Sequence, residues 1–519
     1  MFLDIRIRRG MSMLNRKTSE GLKGEGGALP ENEVPVRPKV VELTTSRIEE
    51  RALPVRVVDL WLLGALYLME LSVLSIILTA YVIDRKPSVL SFLLSRPGYL
   101  FLAGVCGLVG AAVIVCCRYA PNDQVRSQAF RMTLGMNLVS VVLLFLAGEG
   151  AIRALYVDTT MGDMWGKSYL LPREWNKVVG HFQESFRSKL GKPSYMLFNE
   201  TLGWTIGSGR SQNDQGVNYF SSAEGLRSSS PGVALADRHP TVRIALIGDS
   251  YTFGDEVAYE DTWGYQLEKL LGPDVQVLNF GVNAYGTGQA YLRYLQDVRA
   301  WRPDVVIFGF VDHDLVRTMS VYASLTFPTA TFPYAAPRFV MRDQQLTLLN
   351  APLPPPEQIY SARTIDELPY IEWDRSYVKE EWDRPAWTIP TRSYLFRWLE
   401  TWYPLQGDLR PEVSDAAMRE VNSAIFQAFA KQTKADGAIP ILVHFPSWMQ
   451  DSDVLDYTPL GVKILRSAGL DFLDPTDCLT PIPFADRVMP RRHYAPKGNL
   501  AVAQCFREPV AEQLAKRNK

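Results

Sequence analysis

The sequence predicts an α/β domain of three layers with a parallel sheet, preceded by three transmembrane helices. Two observations predict this fold class. Three long apolar runs lie in the first third of the 519-residue chain. In the second half, short apolar runs that end in polar or Gly-rich turns alternate with helical patterns, as in a sheet covered by helices. The formal net charge of −1 gives no sign of a nucleic-acid partner, and we expect none.

The apolar runs cover residues 57–82, 98–117 and 133–152. Each supplies roughly the 20 residues that a helix needs to cross a bilayer. We therefore predict a membrane domain over 55–156. Residues 1–54 are rich in Gly, Glu, Lys and Arg, which predicts a disordered segment.

Basic residues near the apolar runs predict the orientation, because Lys and Arg beside a span tend to remain cytoplasmic. They occur before the first run and between the second and third, two places on the same side: Arg37, Lys39, Arg47, Arg51, Arg56, Arg118, Arg126 and Arg131. Arg85, Lys86 and Arg96 in the other loop weaken the contrast. We expect a multi-pass protein of the bacterial cytoplasmic (inner) membrane, with a cytoplasmic N-terminus. Everything after Tyr156 is then periplasmic or extracellular.

Glu70 lies in the middle of the first run, where a charge is costly. It either binds a partner, such as another envelope protein met through the transmembrane helices, or is a protonated side chain bonded to a neighbouring helix. Cys478 and Cys505 fall in the external region, where a disulfide between them can persist.

The α/β domain is predicted over 241–519, after a connecting segment at 157–240. Its four clearest strands are 242–247, 275–280, 305–310 and 439–444, and its clearest helices are 262–271, 288–300 and 413–435. A Pro-rich and aromatic insertion at about 333–390 interrupts the pattern. Its aromatic rings either anchor the insertion to the domain or form a cap that stacks on sugar rings.

Polar residues follow each predicted strand, at the sheet edge where ligands bind in such folds. Ser250 follows the first strand in "IALIGDSYTFG". Three of the 5 histidines map to the same edge: His313, His444 and His493. A serine nucleophile needs a histidine to take its proton and N–H donors for the oxyanion. The histidine spacing matches no metal motif, so we expect no metal and no cofactor.

Three blocks of this sequence resemble the SGNH/GDSL hydrolase family, from about residue 199 to the C-terminus. They are "GDS" at Gly248, "VLNFGVNAYGTGQ" around Gly281 and "RRHYAPKGN" around His493, with "NETLGW" and "AEGLRS" upstream. The resemblance implies a flavodoxin-like three-layer domain. It also implies Ser250 as nucleophile, His493 as base and the Gly281 N–H as an oxyanion donor.

Two features depart from the family pattern. In "FGFVDHD", His313 stands where the family has the Asn that donates to the oxyanion, although an imidazole N–H can also donate. Pro490 and Arg491 occupy the positions of the acid that precedes the histidine. Candidate orienting acids are Asp486, Asp312 and Asp314; otherwise a backbone carbonyl holds the histidine of a Ser–His dyad.

The sequence therefore predicts a membrane-anchored serine esterase or O-acyl transferase that acts outside the cytoplasm on an acylated glycan or lipid. Asn283 and His444 are candidate substrate contacts. The alternative is a catalytically impaired protein of this type that binds glycans or serves as a scaffold in a cell-envelope assembly. A third possibility places the activity in the membrane, at Glu70.

Overall fold

The computed structural model describes eight stretches of the chain, which are residues 60–83, 88–118, 124–189, 194–326, 334–384, 387–402, 411–447 and 458–517. The predicted disordered segment 1–54 and the basic residues before the first span lie outside the described residues.

The predicted membrane region contains three long helices and one short one. They are α1 (Leu60–Ile83), α2 (Val89–Leu93), α3 (Arg96–Arg118) and α4 (Gln124–Leu155). Within the described residues, α1, α3 and α4 are each long and apolar enough to cross a membrane. Their positions match the three predicted runs.

Small residues allow α1 and α3 to pack closely. A Cβ added to Gly107 would lie 2.4 Å from Ser72 Oγ, and one added to Gly104 would lie 3.0 Å from the Ser72 carbonyl oxygen. Helix α4 meets α1 through polar side chains. Tyr67 Oη lies 2.7 Å from Ser140 Oγ, and Asn137 Nδ2 donates to Glu70 Oε2 at 3.5 Å. Glu70 is therefore bonded to a neighbouring helix, one of the two alternatives for this residue.

Residues 157–240 form small antiparallel units before the main domain, followed by three strands of its sheet. The units are the three-stranded sheet β1 (Val157–Thr159), β2 (Gly162–Trp165) and β3 (Ser168–Tyr169), the helix α5 (Trp175–Lys189), and the hairpin β4 (Met196–Asn199) and β5 (Gly203–Ile206). The next strands are β6 (Ser211–Asp214), β7 (Val217–Ser221) and β8 (Arg227–Ser228).

The main sheet has eight strands in the order β15-β14-β11-β9-β10-β8-β7-β6. Its remaining strands are β9 (Val242–Ile247), β10 (Val275–Asn279), β11 (Val305–Phe310), β14 (Ile439–His444) and β15 (Phe472–Leu473). These five pair in parallel, whereas β6, β7 and β8 add an antiparallel edge. The four predicted strands are confirmed.

Helices cover both faces of the sheet, as the alternation of buried residues along each strand requires. In β9, Ala245 and Ile247 face one apolar cluster, and Ile244 and Leu246 face the other. The helices of the domain are α6 (Ser250–Phe253), α7 (Trp263–Leu271), α8 (Thr287–Arg293), α9 (Asp312–Arg317), α10 (Ala323–Thr326), α11 (Pro356–Ser361), α12 (Tyr394–Trp402), α13 (Asp415–Ala435), α14 (Leu460–Ser467), α15 (Thr476–Leu479), α16 (Phe484–Arg487) and α17 (Pro496–Arg517). Helices α8 and α13 pack on the first face, and α7 and α17 on the second. The predicted three-layer α/β class is confirmed.

The aromatic insertion contains a hairpin, β12 (Phe339–Arg342) and β13 (Gln345–Leu348), and helix α11. Its aromatic side chains pack against helix α5 in one apolar cluster that includes Trp175, Phe182 and the fully buried Trp382. The rings thus anchor the insertion to the protein. Elsewhere, Cys478 and Cys505 form a disulfide that joins α15 to α17.

Candidate active site

A tight turn presents Ser250 at the carboxyl end of β9. Gly248 has φ 152°, and a Cβ there would lie 2.3 Å from both the Gly309 carbonyl oxygen and Thr252 Oγ1, so only glycine fits. Asp249 then caps α6, because its Oδ1 accepts from the Tyr251 N–H at 2.9 Å. Ser250 is the first residue of this short helix.

His493 lies against Ser250. Its Nε2 is 2.9 Å from Ser250 Oγ, which is a hydrogen-bond distance. The loop that carries the histidine is tied to the turn, since Tyr251 Oη donates to the Arg492 carbonyl oxygen at 2.8 Å. The structure therefore brings together the predicted nucleophile and the predicted base, which are 243 residues apart.

A third residue, Glu256, contacts the other nitrogen of the imidazole. Its Oε2 is 2.8 Å from His493 Nδ1 and accepts from the His493 backbone N–H at 3.1 Å. Its Oε1 accepts from the Arg491 N–H at 2.7 Å. Burial acts to raise the pKa of Glu256, but the hydrogen bonds from His493 and Arg491 outweigh it, so the pKa lies below its usual value. Glu256 is therefore an ionised orienting acid.

The three acids predicted for this role are engaged elsewhere, and that prediction was wrong. Asp486 accepts from Lys497 at 2.9 Å, Asp312 pairs with His444, and Asp314 accepts from Arg317 at 2.7 Å. Glu256 follows Ser250 by only six positions, in the loop after α6. The signal in the sequence was the acidic pair Asp255–Glu256 beside the nucleophile.

A polar network holds Glu256 in an unusual backbone conformation, with φ 68°. Tyr219 Oη donates to Asp255 Oδ1 at 2.6 Å and accepts from the Glu256 N–H at 2.9 Å. Arg491 lies beside them, with Nε 3.5 Å from Glu256 Oε1 and Nη1 2.5 Å from Asp214 Oδ2. Arg491, which stands where the family has its acid, thus contacts the acid that replaces it.

The Gly281 N–H, predicted as an oxyanion donor, is already bonded. It donates to Asn279 Oδ1 at 2.9 Å, while Asn279 Nδ2 donates to the Thr252 carbonyl oxygen at 2.8 Å. Gly281 and Asn279 therefore hold the turn after β10 against α6, and the oxyanion role of the Gly281 N–H stays a prediction. Further along that turn, Ala284 has φ 64°. Asn283 Oδ1 is buried with no hydrogen-bond partner among the described residues.

His313 lies in the first turn of α9, directly after β11, and its side chain is half-buried. Burial lowers the pKa of His313, and Arg317 lowers it further. The imidazole is therefore neutral near pH 7 and carries one N–H. This imidazole N–H is therefore the hydrogen-bond donor at the position where the family has its Asn side chain.

Two buried carboxyl groups and one guanidinium lie beneath the serine turn. Arg317 Nη1 is 2.7 Å from Asp314 Oδ1 and 3.6 Å from Asp249 Oδ2. Burial raises the pKa of both acids, and the charge of Asp249 raises that of Asp314 further. A single arginine faces two carboxyl groups here, so the trio retains a proton more readily than two separate acids would.

His444 is fully buried at the end of β14, so the prediction that it contacts substrate was wrong. Its Nε2 is 3.0 Å from Asp312 Oδ1. The same Asp312 carboxylate accepts the backbone N–H groups of Leu460 and Gly461 at 2.9 and 2.8 Å. His444 and Asp312 therefore fix the start of α14 to the edge of the sheet.

Solved structures similar to this chain include a protein of the G-D-S-L lipolytic family and an acetylxylan esterase. A protein assigned to the G-D-S-L lipolytic family from Desulfitobacterium hafniense DCB-2 is 13% identical, with 52% of this chain and 99% of that chain covered and a TM-score of 0.27. The acetylxylan esterase Axe2 from Geobacillus stearothermophilus is 13% identical, with coverages of 52% and 94% and a TM-score of 0.28. TesA is 10% identical, with coverages of 52% and 99% and a TM-score of 0.26.

No protein-family model and no curated relative matches the chain. The chain resembles SGNH/GDSL hydrolases in its sequence motifs and in its α/β fold. The chemistry of the site follows from the distances between Ser250, His493 and Glu256.

Proposed function

We propose that this protein is a membrane-anchored serine esterase or O-acyl transferase that acts outside the cytoplasm on an acylated glycan or lipid. One observation carries the proposal. Ser250 Oγ, the His493 ring and the Glu256 carboxylate form an unbroken hydrogen-bonded line, with distances of 2.9 and 2.8 Å. That is the arrangement by which a histidine activates a serine hydroxyl for acyl transfer.

In the proposed mechanism, His493 carries its proton on Nδ1, and this N–H donates a hydrogen bond to the Glu256 carboxylate. Its Nε2 accepts the Ser250 proton as Oγ attacks the ester carbonyl carbon. When the tetrahedral intermediate collapses, His493 returns that proton to the leaving alcohol, and the acyl group remains on Ser250. A second hydroxyl then gives up its proton to His493 and takes the acyl group, and His493 returns the proton to Ser250 Oγ as the acyl–oxygen bond breaks. Water as this acceptor gives hydrolysis, and a sugar hydroxyl gives transfer.

The oxyanion donors that we propose are the Ser250 N–H and the His313 side chain. The first N–H groups of a helix have no acceptor within the helix, and Ser250 supplies the first one of α6. A neutral His313 offers one N–H. Asn283, in the turn after β10, remains a proposed substrate contact.

The proposed location outside the cytoplasm is supported by the three apolar helices before the domain and by the Cys478–Cys505 disulfide, a bond that persists in oxidising compartments. A tether of this kind holds the site near the cell envelope. We therefore propose envelope glycans or lipids as the substrate class, with other envelope proteins as further partners of the transmembrane helices.

The rival proposal is a binding or scaffold protein that has lost catalysis. It is favoured by the Gly281 N–H being bonded to Asn279 and by the replacement of the family Asn with His313. The Glu256 contact counts against it, because the missing acid was, with the replaced Asn, a reason to expect an impaired site.

Active-site labelling distinguishes the two. The purified full-length protein in lipid nanodiscs would be treated with a fluorophosphonate and assayed with p-nitrophenyl acetate. We expect a covalent adduct on Ser250 and a loss of both labelling and hydrolysis in Ser250→Ala. An unlabelled wild-type protein whose hydrolysis equals that of Ser250→Ala would establish the binding protein. Adding an oligosaccharide acceptor then separates transfer from hydrolysis through the mass of the acylated product.

A further inference from the structure

The external domain is bonded directly to the end of the last membrane helix. Glu149 in α4 accepts three hydrogen bonds from the start of α12: from Ser393 Oγ at 2.9 Å, from the Tyr394 N–H at 3.1 Å and from the Leu395 N–H at 2.8 Å. A carboxylate at a helix N-terminus satisfies its unpaired N–H groups and its dipole. Glu149, a residue of α4, therefore holds the start of helix α12 against the end of α4.

Other contacts make this junction broad. Arg153 Nη2 donates to the Arg392 carbonyl oxygen at 2.9 Å, and its guanidinium lies 4.6 Å from the centre of the Tyr394 ring. The Leu395 side chain packs so close to Gly148 that an added Cβ would lie 3.1 Å from it.

The same external segment reaches the short helix α2. Trp387 packs against the buried Phe92, as Leu93 and Phe101 do, and its ring stacks on Phe396 of α12. Helix α2 connects α1 to α3, so it marks one end of the membrane bundle. Trp387 contacts α2, and the start of α12, on which Trp387 stacks, contacts the carboxyl end of α4, so α2 and that end of α4 lie on one side of the bundle.

The most exposed large apolar side chains of the described residues after 157 lie in the segment that forms this junction. Of the described residues from 158 onward, only two large apolar side chains are more than half exposed: Ile389, at 81%, and Trp402, at 61%. Both belong to the segment 387–402. Val89, Leu90, Leu94 and Leu155, at the neighbouring ends of α2 and α4, are 63–67% exposed. We call these six residues the interfacial patch.

We propose that the interfacial patch lies in the lipid headgroup layer of the membrane that α1, α3 and α4 span, with Ile389 and Trp402 in contact with lipid. The patch belongs to α2, to the end of α4 and to the segment 387–402 that contacts both, so it lies at the end of the spanning helices, where a bilayer meets water. Tryptophan is favoured at that depth, and amphipathic helices bury their apolar side chains there. The domain then contacts the bilayer surface through α12 and is not attached to the membrane by a flexible linker alone.

Spin labels test this placement. In a Cys106→Ala, Cys116→Ala, Cys117→Ala background, a single cysteine would replace Ile389 or Trp402, and the labelled protein would be placed in nanodiscs. The accessibility of each label to oxygen, which dissolves in lipid, is compared with that to a water-soluble nickel chelate. Val109→Cys, exposed in the middle of α3, gives the membrane reference, and Ala435→Cys, exposed at the end of α13, gives the aqueous one.

We expect an oxygen-to-nickel ratio at 389 and 402 that is several-fold above the value at 435 and approaches the value at 109. Ratios equal to that at 435 would overturn the proposal, and they are also the result expected if a partner protein, absent from the nanodisc, normally covers the patch. The positions are exposed, so the substitutions leave the core intact. The measurement uses no activity, and its outcome is independent of whether Ser250 is catalytic.

Discussion

The Glu256 carboxylate lies 2.8 Å from His493 Nδ1, although 237 residues separate the two along the chain. The same carboxylate accepts the backbone N–H groups of Arg491 and His493. Glu256 therefore fixes both the orientation of the imidazole and the path of the loop that carries it.

Glu256→Gln should reduce the kcat of p-nitrophenyl ester hydrolysis by on the order of 10²–10⁴-fold, because an amide does not stabilise the imidazolium that forms when His493 takes the serine proton. Thermal unfolding of the same sample should show that the protein remains folded. Asp486→Asn is the matched control, since the Asp486 side chain bonds to the exposed Lys497 and, among the described residues, to no other. A similar loss in both variants would refute the role of Glu256.

Tyr219→Phe tests the network that holds the acid. The lost hydroxyl donates to Asp255 and accepts from the Glu256 N–H, so Glu256 becomes less well held. We expect a lower kcat with little change in KM, and a loss of about 1–2 kcal/mol in the free energy of unfolding, typical of an uncompensated buried hydrogen bond. Tyr370→Phe, on an exposed ring, should change neither quantity. A Tyr219→Phe enzyme with wild-type kcat would show that the network does not position Glu256.

The central sheet could be predicted because its strands are buried on both faces. In β9 and β11, almost every residue is apolar, and such runs stand out in a sequence. The antiparallel edge could not. Strand β6 consists of Ser211, Gln212, Asn213 and Asp214, mostly exposed, and β8 has two residues, so neither carries an apolar pattern.

The sequence could predict those residues of the site that stand beside a recognisable pattern. Ser250 and His493 follow apolar runs or recognisable motifs. Glu256 does not, because its place against His493 depends on a backbone with φ 68° and on a tyrosine from β7, which no local pattern encodes. The bond from the Gly281 N–H to Asn279 Oδ1 is likewise a matter of side-chain orientation.

His313 can be tested as the replacement for the family asparagine. His313→Ala should lower kcat by on the order of 10²-fold, the usual cost of losing one oxyanion donor. His313→Asn restores a side-chain N–H and should recover a large part of that loss, whereas His313→Leu should not. Steady-state kinetics with p-nitrophenyl acetate measure all three. Equal activity of the Ala and Asn variants would exclude an oxyanion role for this position.

Glu400 in α12 should make the protein less stable as the pH rises. Both of its carboxylate oxygens are buried with no hydrogen-bond partner among the described residues, and burial raises the pKa of Glu400 to about 8. The folded state thus keeps a proton that the unfolded state releases above about pH 4.5. Because the folded state binds more protons in that window, the free energy of unfolding falls from about pH 4.5 to about pH 8.

Glu400→Gln should remove this slope and stabilise the protein at pH 8 by on the order of 1–3 kcal/mol, the cost of a buried unpaired polar group. Thermal unfolding in nanodiscs from pH 5 to pH 9 measures the effect. Glu412→Gln, at an exposed position, serves as the control. A wild-type stability that does not fall across this window, or a Glu400→Gln variant with the wild-type slope, would contradict the prediction.

Glu149→Ala should loosen the junction between α4 and α12 without affecting the chemistry at Ser250. Removal of the carboxylate leaves the Tyr394 and Leu395 N–H groups and the Ser393 hydroxyl without their acceptor, which should cost about 1–2 kcal/mol, as the loss of a helix cap does. Hydrogen exchange at these two amides should accelerate, while hydrolysis of the small, soluble p-nitrophenyl acetate should stay at the wild-type rate. Glu149→Gln keeps one acceptor oxygen and should fall between the two. Unchanged exchange in Glu149→Ala would mean that other contacts, such as Arg153 with Arg392 or Trp387 with Phe92, hold the domain on the membrane region without this carboxylate.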